Sequence, residues 1–90
     1  MHKKPLVSVI TVCYNSAHLL QRTIKSLRLQ TYSEIEYIVI DGASKDNTKQ
    51  IIKENQDIIN LWISEPDNGL YYAMNKGLDL ASGDYVIFIN

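Results

Sequence analysis

The feature that most constrains this chain is a regular alternation between short β-branched runs and segments of helical spacing. Residues 6–14 form a nearly continuous apolar run rich in valine and isoleucine, the pattern of a strand covered on both faces. Residues 17–30 follow, with Leu20, Ile24 and Leu27 on one helical face and Ser16 placed to cap the start. A second β-branched run spans 35–40 and ends at Asp41-Gly42. Asp46 or Asn47 can then cap a helix whose apolar positions are Ile51, Ile52 and Ile59. A short third strand is expected at 61–64, before the breaker cluster Glu65-Pro66-Asp67-Asn68-Gly69. Residues 70–82 carry Leu70, Ala73, Met74, Gly77, Leu78 and Ala81 at amphipathic spacing, with Gly83 as the expected C-cap, and 85–89 read as a fourth strand.

The order β-α-β-α-β-α-β, joined by right-handed crossovers, predicts an α/β fold. Its parallel sheet is ordered 3-2-1-4, with helices on both faces. Ligands of such sheets bind at the carboxyl ends of the strands, near the point where strand order reverses. Polar residues collect at that edge: Cys13-Tyr14-Asn15 after strand one, Asp41 after strand two, Ser64-Glu65-Pro66-Asp67 after strand three, and Asn90 after strand four.

Several chemistries are excluded. The turn after strand one, Tyr14-Asn15-Ser16-Ala17-His18, has no glycine, so the dinucleotide fingerprint is absent, and no P-loop motif occurs. A C-x5-R phosphatase would need arginine where Leu19 stands, and a receiver domain would need acidic residues after strand one. The formal net charge is −1 with basic residues scattered, which gives no electrostatic basis for binding nucleic acid. The one cysteine, Cys13, reads as a small buried residue and not as a nucleophile. No apolar run approaches the roughly 18–20 residues that span a bilayer. A cytoplasmic location is expected, with the inner membrane face as an option for a longer protein.

The ordered stretches Val7–Asn15, Gln30-Thr31-Tyr32, Asp41–Asp46, Ser64–Tyr71 and Ala73–Gly77 resemble the motifs of inverting, GT-A-type family 2 glycosyltransferases. Val7-Ser8-Val9-Ile10-Thr11-Val12-Cys13-Tyr14-Asn15 resembles the family's opening strand, S-V-I-I-P-T-Y-N. Leu27, Gln30-Thr31-Tyr32 and Glu36 resemble its next signature. Asp41-Gly42-Ala43-Ser44-Lys45-Asp46 resembles the D-G-[GA]-S-x-D form of one subgroup. The stretches Ser64–Tyr71 and Ala73–Gly77 resemble that subgroup's S-E-P-D-x-G-I-Y-D-A-M-N-K-G. Departures are Val12 for the family's proline, Cys13 for its threonine, Gly42 for a second aspartate, and Tyr72 for an acidic residue.

The resemblance implies a Rossmann-like, nucleotide-binding front half of a GT-A domain. Its donor would be a nucleotide-diphosphate sugar, UDP-linked, and its acceptor a polysaccharide or a lipid-linked glycan. The divalent metal of the family, Mg or Mn, is held by an acidic motif after the fourth strand, so the metal ligands and catalytic base are expected beyond Asn90. The chain alone is therefore expected to bind without turnover. The alternative is a non-catalytic uridine-nucleotide-binding module.

Within that frame Asp41 is the first candidate. Uracil presents an N3–H donor that a carboxylate accepts, whereas cytosine presents an acceptor at that position and is repelled. Tyr14 offers a ring for stacking on a base, or else is a core-edge tyrosine. Val12 and Cys13 are expected to contribute backbone groups, and Asn15 to shape the turn. Asp46 is either a ligand contact or a helix cap. Asp67, in the loop at the same edge, suits a ribose or diphosphate contact, or an ordinary turn. Asn75 and Lys76 lie on the third helix, where Lys76 is either a mobile charge near the diphosphate or a solvated surface lysine.

Overall fold

A computed structural model describes residues 3–89. The elements are β1 (Val7–Cys13), α1 (Ala17–Arg28), β2 (Ile35–Asp41), α2 (Thr48–Glu54), β3 (Leu61–Ser64), α3 (Leu70–Leu80) and β4 (Tyr85–Phe88). All strands are parallel and lie in the expected order, β3-β2-β1-β4.

The β-branched runs of β1 and β2 form strands because every second side chain must find a covered face. In these two both faces are covered, whereas β4 at the sheet edge is exposed along its length. Val9, Cys13, Tyr37 and Val39 pack beneath Leu20 and Ile24 of α1 and Ile51 and Ile52 of α2. Ile10, Ile38 and Ile40 point the other way, with Ala73 of α3. Each such isoleucine, fully removed from water, contributes about 1.5–3 kcal/mol. The helix spacing in α3 is less fully used: Ala73 and Gly77 are buried, while Leu70 and Leu78 remain exposed.

The boundaries show where local signals gave way to tertiary contacts. Helix α2 ends at Glu54, and Ile59 reaches the core from the following turn instead of from the helix. Ser16 occupies the N-cap position of α1 without capping, its hydroxyl donating to the Tyr14 carbonyl at 2.8 Å. Gly83 is not the C-cap of α3; that position is Ala81, in extended geometry. Gly83 is needed for space instead. A Cβ there would lie 2.6 Å from Ser8 Oγ, 2.7 Å from Ser8 N and 2.9 Å from Leu6 O, so only glycine lets this turn close on β1. Its amide donates to Ser8 Oγ, and Glu36 accepts from Ser8 Oγ, Ser82 N and Ser82 Oγ. These bonds tie the amino-terminal edge of the sheet, opposite the carboxyl edge.

Candidate nucleotide site

Parallel register brings Cys13, Asp41 and Ser64 side by side at the carboxyl ends of β1, β2 and β3. Asp41 is the hub of this edge. Its Oδ2 accepts from the Ser44 amide at 3.1 Å and from Ser64 Oγ at 2.8 Å. Its Oδ1 accepts from Ser44 Oγ and, weakly, from Cys13 Sγ at 3.8 Å. A carboxylate offers about four lone-pair sites, and all are taken. Burial and the Asp41 carboxylate push the Cys13 thiol up to about 12, so it stays protonated as a donor and is no nucleophile.

The loops after β1 and β2 are clasped together. The Asn15 amide donates to Ser44 Oγ at 2.7 Å, and the Lys45 amide donates to Asn15 Oδ1 at 2.7 Å. Asp46 Oδ2 accepts from the Ala17 amide at the start of α1, while Oδ1 accepts from the amide and hydroxyl of Thr48 at the start of α2. One carboxylate thus serves two helix N-termini, and its hydrogen bond from the Thr48 hydroxyl is the main reason its pKa lies below the ordinary value. Asn15 and Ala43 both adopt left-handed backbone, with φ of 49° and 62°. Asn tolerates this readily, whereas Ala43 is strained and is held there by the clasp.

Above this edge opens a cavity of 530 Å³, lined by Val12, Cys13, Tyr14, Gly42, Pro66, Asp67, Gly69, Leu70 and Ala73. Of the eight residues singled out from the sequence, Val12, Cys13, Tyr14 and Asp67 meet here. Tyr14 is 57% exposed and lines the cavity. The other four do not line it. Asp41 lies behind the wall, fully buried. Asp46 is absorbed by the clasp, and Asn75 is exposed on α3. Lys76 is not a free charge: its ammonium pairs with Glu65 at 3.0 Å and donates to the Pro66 carbonyl at 3.5 Å, bracing the loop before α3. Sequence reasoning missed Gly42, Leu70 and Ala73 as wall residues, and Ser64 as a partner of Asp41. A glycine or a small apolar side chain carries no chemical signal of its own. Among the described residues, no group of three or more His, Cys, Asp or Glu could hold a metal ion. No helix among them is long and apolar enough to cross a membrane.

Comparison with known proteins gives one consistent answer. An uncharacterised glycosyltransferase of Mycobacterium tuberculosis is 46% identical over 91 residues, covering 100% of this chain and 35% of that protein. The chain thus spans about a third of the length of the curated relatives it matches. Among solved structures, S. aureus TarS 1-349 in complex with UDP-GlcNAc superposes with a TM-score of 0.83 at 30% identity, covering 93% of this chain and 26% of that one. The mannosyltransferase of Pyrobaculum calidifontis, in complex with GDP-Man and Mn2+, gives 0.82 at 29% identity with the same coverage. The family profile of Glycosyl transferase family 2 matches residues 8–90, and with the parallel fold and its edge cavity this establishes that the chain belongs to glycosyl transferase family 2.

Proposed function

We propose that this chain is the donor-binding part of an enzyme that transfers a sugar from a UDP-linked donor, with inversion, to a polysaccharide or lipid-linked glycan. The cavity at the carboxyl edge of β1 and β2, with the exposed Tyr14 ring on one wall and the Asp67 carboxylate on the other, is the observation that carries this. A base stacked on Tyr14 gains about 1–3 kcal/mol, a range drawn from nucleic-acid systems. Behind the stacked base lies Asp41, whose weakest partner is the Cys13 thiol. A base N–H is a better donor than a thiol, so uracil N3–H takes the Oδ1 lone pair when Cys13 turns aside. Guanine presents an N1–H at the corresponding edge, whereas cytosine and adenine present acceptors there and are refused.

A divalent ion, Mg or Mn, would serve the whole enzyme; among the described residues no group of three or more His, Cys, Asp or Glu could hold it. The ion's chemistry is to stabilise the departing diphosphate. The described residues bind and orient the nucleoside.

Titration of the protein with UDP, GDP, CDP and ADP, with and without manganese and followed by NMR, tests this. UDP should bind in preference to CDP, with shifts centred on Tyr14, Gly42 and Asp67. Equal affinity for UDP and CDP would remove Asp41 as the base reader.

A further inference from the structure

Gly42 stands where the family pattern has a second aspartate, and it touches both walls of the cavity. A Cβ on Gly42 would lie 3.2 Å from Asp67 Oδ2, 3.4 Å from the Tyr14 ring and 3.7 Å from Asp67 Cγ. Its backbone is not left-handed, since Gly69 is the only glycine of positive φ among the described residues. The glycine is therefore there for room and not for conformation. The room is filled by Asp67. One of its carboxylate oxygens, Oδ1, accepts from the Gly69 amide at 3.1 Å and anchors the residue at the start of α3. The other, Oδ2, makes no hydrogen bond among the described residues and reaches across the cavity floor towards Gly42. The Tyr14 ring, bare backbone and an unengaged carboxylate oxygen thus converge at one point.

We propose that Gly42 is a specificity-determining residue, whose missing side chain lets Asp67 Oδ2 stand beside the Tyr14 ring and accept from the ribose hydroxyls of the donor nucleotide. This rests on the cavity being the nucleotide site, but not on which base is read. A nucleoside stacked on Tyr14 through its base directs its ribose along the floor, where a carboxylate accepts from the vicinal diol by charge-assisted bonds. Any side chain at position 42 forces Oδ2 back by a few tenths of an ångström, because Gly69 holds the other oxygen. Ribose recognition then loosens while the aromatic wall stays.

The test measures UDP and 2′-deoxy-UDP affinities by calorimetry on the full-length protein. The variants are Gly42→Ala, Asp67→Ala and the two combined, each checked by thermal melting. Hydrogen bonds to a charged acceptor predict a preference for UDP over the deoxy form of roughly tenfold or more in the wild type. Gly42→Ala and Asp67→Ala should each lose most of that preference, and the double variant should be no worse than Asp67→Ala alone. A Gly42→Ala protein that keeps the wild-type ribose preference overturns the proposal. So does a double variant whose losses multiply, since Gly42 would then act on something other than Asp67. A wild type that binds nucleotides but ignores the 2′-hydroxyl overturns it too, leaving the nucleotide site intact. A wild type that binds no nucleotide removes the site itself.

Discussion

Replacing Asp41 separates what the carboxylate does for the fold from the base contact proposed for it. Asp41→Ala removes an acceptor shared by the Ser44 amide, the hydroxyls of Ser44 and Ser64, and the Cys13 thiol. The Ser44 amide is fixed by its backbone and loses its partner outright, which costs about 1–3 kcal/mol. The two hydroxyls can rotate, and deleting a buried charge returns part of its desolvation, so the net loss should be about 2–4 kcal/mol. Asp41→Asn keeps the shape and one oxygen. With that oxygen facing the Ser44 amide and Ser64, the new NH2 faces Ser44 Oγ and Cys13 Sγ, which can accept as well as donate. Its cost should be nearer 1 kcal/mol, about that of one net hydrogen bond. Urea denaturation followed by fluorescence of Trp62, which lies on β3 beside β2, measures both values. Nucleotide titration of the folded Asn variant then isolates recognition, because its amide donates where the carboxylate accepted. The UDP preference over CDP should collapse. An Asn variant with wild-type preference would refute the base contact. An Ala variant within about 0.5 kcal/mol of wild type, the scatter of neutral surface changes, would refute the hub.

Three further outcomes are expected. Gly83→Ala should destabilise the protein by about 1–3 kcal/mol in the same denaturation assay, since its Cβ meets backbone of β1 that cannot yield. Ala43→Gly should stabilise it by about 0.5–1 kcal/mol, by relieving a left-handed alanine at φ 62°. Stability should fall at acid pH through Asp46 and Glu36. Asp46 is lowered by the Thr48 hydroxyl above all; Glu36 is raised by desolvation but lowered more by Ser82 and Ser8. Depressed carboxylates stabilise above their unfolded values, near 3.8 and 4.5, and lose that contribution as pH drops through their folded ones. Thermal melts from pH 6 to about pH 3 should show this fall, and Asp46→Asn should flatten part of it.

The sequence by itself determined the order of elements and the direction of every strand. Strand three was read at its observed limits, 61–64, because a short apolar run and the Pro-Asp-Asn-Gly breaker behind it are local signals. Parallel pairing followed from the crossovers, since a strand followed by a helix can return only one way. The carboxyl edge was expected to be the ligand edge for the same reason, and a cavity lined in part by Val12, Cys13, Tyr14 and Asp67 opens there. What only the tertiary structure decided is which polar group faces solvent and which faces another part of the chain. Asp41 and Ser64 are 23 residues apart and Gly83 and Ser8 are 75 apart, distances over which no periodicity carries information. Asp46 or Asn47 was legible as a residue that starts α2. Asn47 takes the N-cap position without a side-chain bond, Asp46 accepts from Thr48, and its second client at Ala17 depends on two loops meeting across the sheet edge. Lys76 was legible as a charge, but its partner Glu65 is set by how the loop folds back on α3. Gly42 carries no side chain to read at all, and its meaning is the space it leaves between Tyr14 and Asp67. Hydrogen-bond partners and free volume belong to pairs of residues, and pairs distant in sequence exist only once the sheet has formed.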